Sequence, residues 1–212
     1  MQQAAKFWDK AAPSYAKSAI SDIQSYEITC ARTQSYLKKT DRIYEAGCGT
    51  GGTARLLAPS VAHVTATDFS GRMIDIAKQR AVEEGLENVD FRVGDINAPD
   101  VAGGPFDVVL AHNVLHLVED MEAAVRGLRE NLKPGGLFIS KTICAPENGA
   151  TLKFYMIRAI LPIMQLLGKA PFVQFKSIAD FDRMIEGLGF KILETGNYPA
   201  KPPSRYIVAR KI

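Results

Sequence analysis

A chain of 212 residues, 47% hydrophobic and 23% charged, can bury one sizeable core and is too short for two ordinary catalytic domains. Its 26 Lys and Arg against 23 Asp and Glu leave a formal net charge of +3 with no basic tract long enough to follow a phosphate backbone, so nucleic acid is not an expected partner. Three widely spaced cysteines, Cys30, Cys48 and Cys144, without a CxxC pair or a nearby histidine pair, suggest neither a disulfide framework nor a zinc site and fit a reducing cytoplasm.

Residues 1–10 lack an apolar signal core and a small-residue cleavage site, so they do not read as a secretion signal. Ile20, Ile23, Tyr26, Cys30 and Leu37 recur at helical spacing beside Ser21 and Asp22, predicting a helix over 20–38 within a helical cap spanning 1–40. Strand-like runs follow at 42–46, 63–67, 89–93, 106–111 and 136–142, with helical patterns at 51–58, 71–84 and 120–132. This βαβ rhythm implies an α/β core over 41–142, its parallel sheet covered on both faces. Lys133-Pro134-Gly135-Gly136 is expected to stop the preceding helix in a tight turn.

The run 152–167 is apolar nearly all round, yet shorter than the roughly 20 residues a bilayer span needs, and it holds Lys153, Arg158 and Pro162. It reads as an inserted helix or helical pair within 148–176. An extra core helix, a lid, a dimer face and a peripheral membrane contact all remain open roles, as do a monomer and a homodimer. In 177–212, a helix over 178–188, a strand over 190–195 and a Pro-rich turn, Tyr198 to Pro203, lead into a last strand. Two strands joined without a helix predict an antiparallel hairpin.

The chemistry concentrates where the first strand runs into Gly47, Gly49, Gly51 and Gly52. Gly47, Gly49 and Gly52 satisfy GxGxxG, which alone fits a nicotinamide or flavin enzyme equally well. Glu45 separates the cases: a carboxylate just before the glycines would repel a pyrophosphate, whereas it suits an ammonium or sulfonium such as S-adenosylmethionine carries. Asp68, 21 residues after Gly47, ends the second strand and can accept ribose hydroxyls under either reading. Asp95, after the third strand, can accept adenine amino hydrogens while Ile96 packs on the ring.

These segments occur in order with Phe7-Trp8-Asp9 to Tyr15, Glu45 to Gly51, Thr67-Asp68-Phe69-Ser70 with Met73, Gly94-Asp95-Ile96, Phe106-Asp107 to Leu115-His116, and Leu132 to Gly136. Over residues 5–212 the chain therefore resembles the class I S-adenosylmethionine-dependent methyltransferases of small molecules, and is similar to the ubiquinone/menaquinone type. The resemblance implies a Rossmann-like three-layer sandwich with sheet order 3-2-1-4-5-7-6 and strand 7 antiparallel. It also implies a cofactor set: Gly47, Gly49 and Gly51 along the methionine and ribose, Asp68 on the ribose, Asp95 and Ile96 on the adenine. Glu45, Cys48, Phe69 and Met73 complete that set, with Cys48 as a small packing residue. His112 and Asn113 would touch the cofactor and face the acceptor, and Tyr15 would close over the donor or pack the N-terminal helices.

Methyl transfer is an in-line displacement, so the protein mainly aligns the acceptor and, where that is acidic, removes its proton. His112 and His116 are the candidate bases; the alternative is that His116 packs and His112 only shapes the pocket. No Asn/Asp-Pro-Pro-aromatic motif follows the fourth strand, which weighs against polymeric amine substrates, and no acidic trio suggests a metal. The expected acceptor is a small apolar or weakly acidic molecule: a thiol, phenol or quinone-like ring. The N-terminal helices and the 150–176 insertion, with Phe154, Ile157, Leu161, Phe172 and Phe175, would enclose it. A lipid or amine methyltransferase at a membrane surface, a non-catalytic S-adenosylmethionine-binding protein and a nicotinamide oxidoreductase are the competing readings.

Overall fold

The computed structural model describes residues 2–97, 104–146 and 152–212. Helices α1 (Gln2–Lys17) and α2 (Ile23–Ser35) precede an alternating core of β1 (Arg42–Ala46), α3 (Gly52–Leu57), β2 (His63–Asp68), α4 (Gly71–Glu83) and β3 (Val89–Val93). It continues through β4 (Phe106–His112), α5 (Met121–Glu130), β5 (Leu132–Ile143), α6 (Leu152–Leu166), α7 (Ile178–Gly187), β6 (Phe190–Ala200) and β7 (Pro203–Lys211). The seven strands form one sheet in the order β3-β2-β1-β4-β5-β7-β6. β7 is antiparallel to both β5 and β6, and the remaining neighbours are parallel.

Helix starts follow their caps. The Asp22, Ser70, Asp120 and Ser177 side chains each accept a backbone N–H in the first turn of α2, α4, α5 and α7. The inner strands are largely apolar on both faces, as a sheet covered twice requires. One face packs Tyr44, Val109, Phe138 and Ile207 against Val125 and Leu128 of α5 and Phe181 and Ile185 of α7. The other packs Ile43, Val64, Leu110 and Val208 against Leu57 of α3 and Ile74 and Ala77 of α4.

Three boundaries differ from the sequence expectation. The helix predicted over 20–38 is shorter, at Ile23–Ser35. Lys133-Pro134-Gly135-Gly136 is not a bare turn, because Leu132 already pairs with Phe106; an irregularity then absorbs the extra residues before Val108 meets Leu137. The last hairpin also pairs further than its prolines suggest, with Ala200 opposite Pro203 and register shifts that take up the surplus. Residues 148–151 of the predicted insertion, and the side chains of Phe154 and Ile157, lie outside the described residues. Among the described residues no helix is long and apolar enough to cross a membrane.

Candidate active site

The turn after β1 lies beside the carboxyl end of β2 and packs against Val114, just beyond β4. There Cys48 N–H donates to Thr67 O at 2.9 Å and Gly51 N–H to Cys48 O at 3.0 Å, tying the turn to β2. Gly47, Gly49 and Gly51 all have positive φ, at 69°, 53° and 74°. Their surroundings differ. A side chain at Gly47 would overlap Val114, and one at Gly51 would come 2.6 Å from Phe91 Cζ, so both glycines permit close internal packing. At Gly49 the nearest atom is Tyr15 Cε1, at 3.9 Å. Gly49 is thus the glycine that leaves room for a ligand, and Tyr15 is the residue above it.

Asp68 organises the rim. Its Oδ2 accepts Gly49 N–H and its Oδ1 accepts Ser70 N–H, both at 2.9 Å. Each oxygen keeps a further lone pair for an outside donor. Burial raises the Asp68 pKa, partly offset by these two N–H groups, and Asp9 raises it further. Asp9 fastens α1 here: its Oδ1 accepts Ser70 Oγ–H at 2.6 Å and Arg72 N–H at 3.1 Å. Asp9 stands in the Phe7-Trp8-Asp9 motif, but that it joins the cap to the start of α4 is a tertiary contact with no local sequence signal. Tyr15, on the same helix, is 53% exposed and meets Trp8 edge-on at 6.3 Å. Desolvation raises its phenol pKa, and facing Asp68 and Glu45 adds to the shift.

Glu45 lies beneath the turn, 2% exposed, and its Oε2 has no hydrogen-bond partner among the described residues. Burial pushes its carboxyl up to about 8; the Ala54 backbone N–H opposes that and Asp68 reinforces it. A buried carboxylate left unpaired is costly, so this position favours either a proton or a cationic ligand. Cys48 is a packed thiol whose pKa burial raises far above its ordinary value, which argues against a nucleophile. Met73 is buried with its N–H bound to Ser70 Oγ at 3.2 Å, while Phe69 is half-buried. Asp95 is half-buried, its Oδ1 accepting the backbone and side-chain N–H of Asn97 at 2.9 Å, and Ile96 packs against the core.

The two candidate bases lie apart in role. His112 ends β4 on the Glu45 face, its ring 6.4 Å from that of Tyr206. Asn113 then turns out at φ 56°, exposed, with its N–H on Lys141 O at 2.7 Å. His116 sits in a short 3-10 turn, 6% exposed, and its carbonyl accepts Gln174 N–H at 2.8 Å. Burial lowers both imidazoles to about 4, with Lys141 adding to the effect at His112. Neither His112 Nε2 nor His116 Nδ1 has a partner among the described residues. Beside His112 lies Lys141, a residue that sequence reasoning missed, although a lysine inside the apolar run Leu137 to Ile143 was its signal. Among the described residues no cluster of three metal-ligating side chains occurs.

Comparison with known proteins shows the family. A family model described as a methyltransferase domain matches residues 43–136. A ubiquinone biosynthesis O-methyltransferase of Methylobacterium sp. (strain 4-46) is 32% identical over 174 residues, covering 79% of this chain and 67% of the relative. One from Methylocella silvestris is 38% identical over 130 residues, 61% of this chain and 48% of its own length. The chain thus spans about half to two thirds of the length of these curated relatives. Among solved structures, magnesium protoporphyrin IX methyltransferase from Synechocystis PCC 6803 with bound S-adenosylhomocysteine superposes with a TM-score of 0.69. That match has 22% identity and covers 92% of this chain and 90% of the other. The chain belongs to the class I S-adenosylmethionine-dependent methyltransferases.

Proposed function

We propose that this chain binds S-adenosylmethionine at the turn after β1 and transfers its methyl group to a small apolar or weakly acidic acceptor: a thiol, phenol or quinone-like ring. The buried, unpartnered Glu45 Oε2 carries this reading, because a cation beside it offsets the cost of ionising a carboxyl out of water. Asp68, beside the open Gly49, offers acceptors for ribose hydroxyls, and Asp95 and Ile96 offer an acceptor and an apolar face for adenine. Tyr15, whose ring is nearest the space at Gly49, would cover a donor bound there and shield it from water.

When bound, S-adenosylmethionine supplies an electrophilic methyl carbon on a sulfonium leaving group, so the acceptor's electron pair forms the new bond while the C–S pair returns to sulfur. The protein's part is alignment. His112 and Asn113 project from the end of β4, where an acceptor must approach, and His112 is neutral near pH 7. Exposed Met156, Ile160 and Ile163 on α6 favour an apolar acceptor, and the quinone-pathway relatives point the same way.

Incubating the protein with methyl-labelled donor and a panel of thiols, phenols, lipids and amines, with S-adenosylhomocysteine detected in parallel, tests the reading. Label is expected in the phenol or thiol products. Donor binding without transfer to any acceptor would instead favour a non-catalytic binding protein.

A further inference from the structure

We propose that Lys141 is the oxyanion site for the acceptor, which makes the preferred substrate a phenol-class hydroxyl bound as its anion. The inference rests on the methyltransferase reading above and narrows its substrate class. Lys141 sits on β5 with His112 of β4 as its register partner on one side and Tyr206 of β7 on the other. Side chains at paired positions share a face of the sheet, so these three lie together on the face that also buries Glu45. Lys141 is only 7% exposed, yet among the described residues its ammonium, unlike its backbone carbonyl, makes no hydrogen bond or ion pair. Lys133, by contrast, is held by Asp107 at 2.6 Å, and Lys211 by the carbonyls of Arg129 and Leu132.

The surroundings of Lys141 are polar and unfinished. His112 Nε2 and Ser204 Oγ, on the same face, are buried without partners among the described residues. The Tyr206 hydroxyl is already engaged, 3.1 Å from Thr33 Oγ1. Burial lowers the Lys141 pKa, and two groups of α2 oppose that from a distance: Asp22, whose carboxylate also accepts Ser25 N–H at 3.0 Å, and the buried thiol of Cys30. Asp22 offsets part of the charge without contact, but among the described residues no carboxylate forms an ion pair with Lys141, and a buried ammonium without a direct partner is expensive. Local costs of this kind persist at sites that receive a ligand.

The charges on this face have two poles. Glu45, beneath the glycine turn, suits the cationic donor; Lys141, at the end of the next strand but one, suits an anionic acceptor. The acceptor's O–H bond breaks with its proton going to solvent water, and the electron pair stays on oxygen opposite the ammonium. Lys141 thereby raises the fraction of acceptor that is nucleophilic at neutral pH, while His112 and Ser204 offer hydrogen-bonding atoms beside it.

The probe is 4-nitrophenol, whose ionisation is visible by absorbance, titrated against wild-type protein saturated with S-adenosylhomocysteine. The bound phenol is expected to ionise at least one pH unit below the free phenol. Lys141→Met should abolish that displacement and weaken nitrophenolate binding at least tenfold, while S-adenosylhomocysteine affinity stays within twofold of wild type; Lys141→Arg should restore most of it. Absence of nitrophenol binding to the loaded wild type, or a displacement that survives in Lys141→Met, would overturn the assignment and leave the cofactor reading standing. Failure of the wild type to bind S-adenosylhomocysteine at all would remove both.

Discussion

Asp68 accepts the backbone N–H of Gly49 at 2.9 Å, so the carboxylate at the end of β2 holds in place the roomiest of the three positive-φ glycines of the turn. The same side chain is therefore a structural tie and a candidate ribose acceptor. Asp68→Asn should weaken both functions, since an amide presents N–H donors to at least one of two N–H groups. Charge-assisted bonds of this type contribute about 2 kcal/mol each. A lower Tm and at least a tenfold loss of S-adenosylhomocysteine affinity by calorimetry are expected; unchanged affinity would remove Asp68 from the site.

Glu45 makes cofactor binding depend on pH. Its carboxyl is held at about 8 in the folded protein, against an ordinary value of 4.5. Between those values the folded protein keeps a proton that the unfolded chain has released, so stability without ligand falls as pH rises from about 4.5 to about 8. Glu45→Gln should flatten that slope. A cationic donor bound at pH 7 should expel most of one proton, measurable by titration in buffers of different ionisation heat. Equal heats in all buffers would show that Glu45 does not meet the donor's charge.

The histidines carry the opposite sign. Burial holds His112 and His116 at about 4, below the ordinary 6.5, so the unfolded chain binds more protons across that window and stability rises with pH from about 4 to 6.5. Their ring protons should titrate below pH 5 by NMR, and the pH–rate profile should lack an inflection between 6 and 7. An inflection there that disappears in His112→Ala would restore a histidine base of ordinary pKa.

The turn glycines should separate by substitution. At Gly51, φ is 74° and a side chain would stand 2.6 Å from Phe91, so Gly51→Ala combines a left-handed backbone cost with overpacking and should destabilise by about 3 kcal/mol. Gly49→Ala meets only Tyr15 at 3.9 Å and should cost about 1 kcal/mol, with a larger loss in S-adenosylhomocysteine affinity than in stability. Thermal melts and calorimetry on the two variants check this; equal losses would mean Gly49 has no ligand to face.

Glu45 was legible in the sequence because its place before the glycines has electrostatic meaning regardless of tertiary detail. That its oxygen would be left unpartnered was not, since this depends on how α3 packs and on Asp68 arriving from β2. The lysine among the apolar residues of 137–143 is a local signal, but its surroundings are not local: His112 and Tyr206, which lie beside it, come from strands whose starts are 26 residues before and 71 after the start of β5. The sheet order came from the motif series and the hairpin from the missing helix, and both match the structure. Strand 5 was misjudged at its start because proline and glycine read locally as a stop, while pairing of Leu132 with Phe106 is a long-range contact.

A crystal structure of the protein soaked with S-adenosylhomocysteine tests the cofactor assignment most directly. The ribose hydroxyls are expected within hydrogen-bond distance of Asp68, the amino-acid portion beside Gly49 and above Glu45, and Tyr15 closed over the ligand. Ligand bound away from the turn after β1, or clear density for that turn with none beside it at saturating concentration, would contradict the assignment.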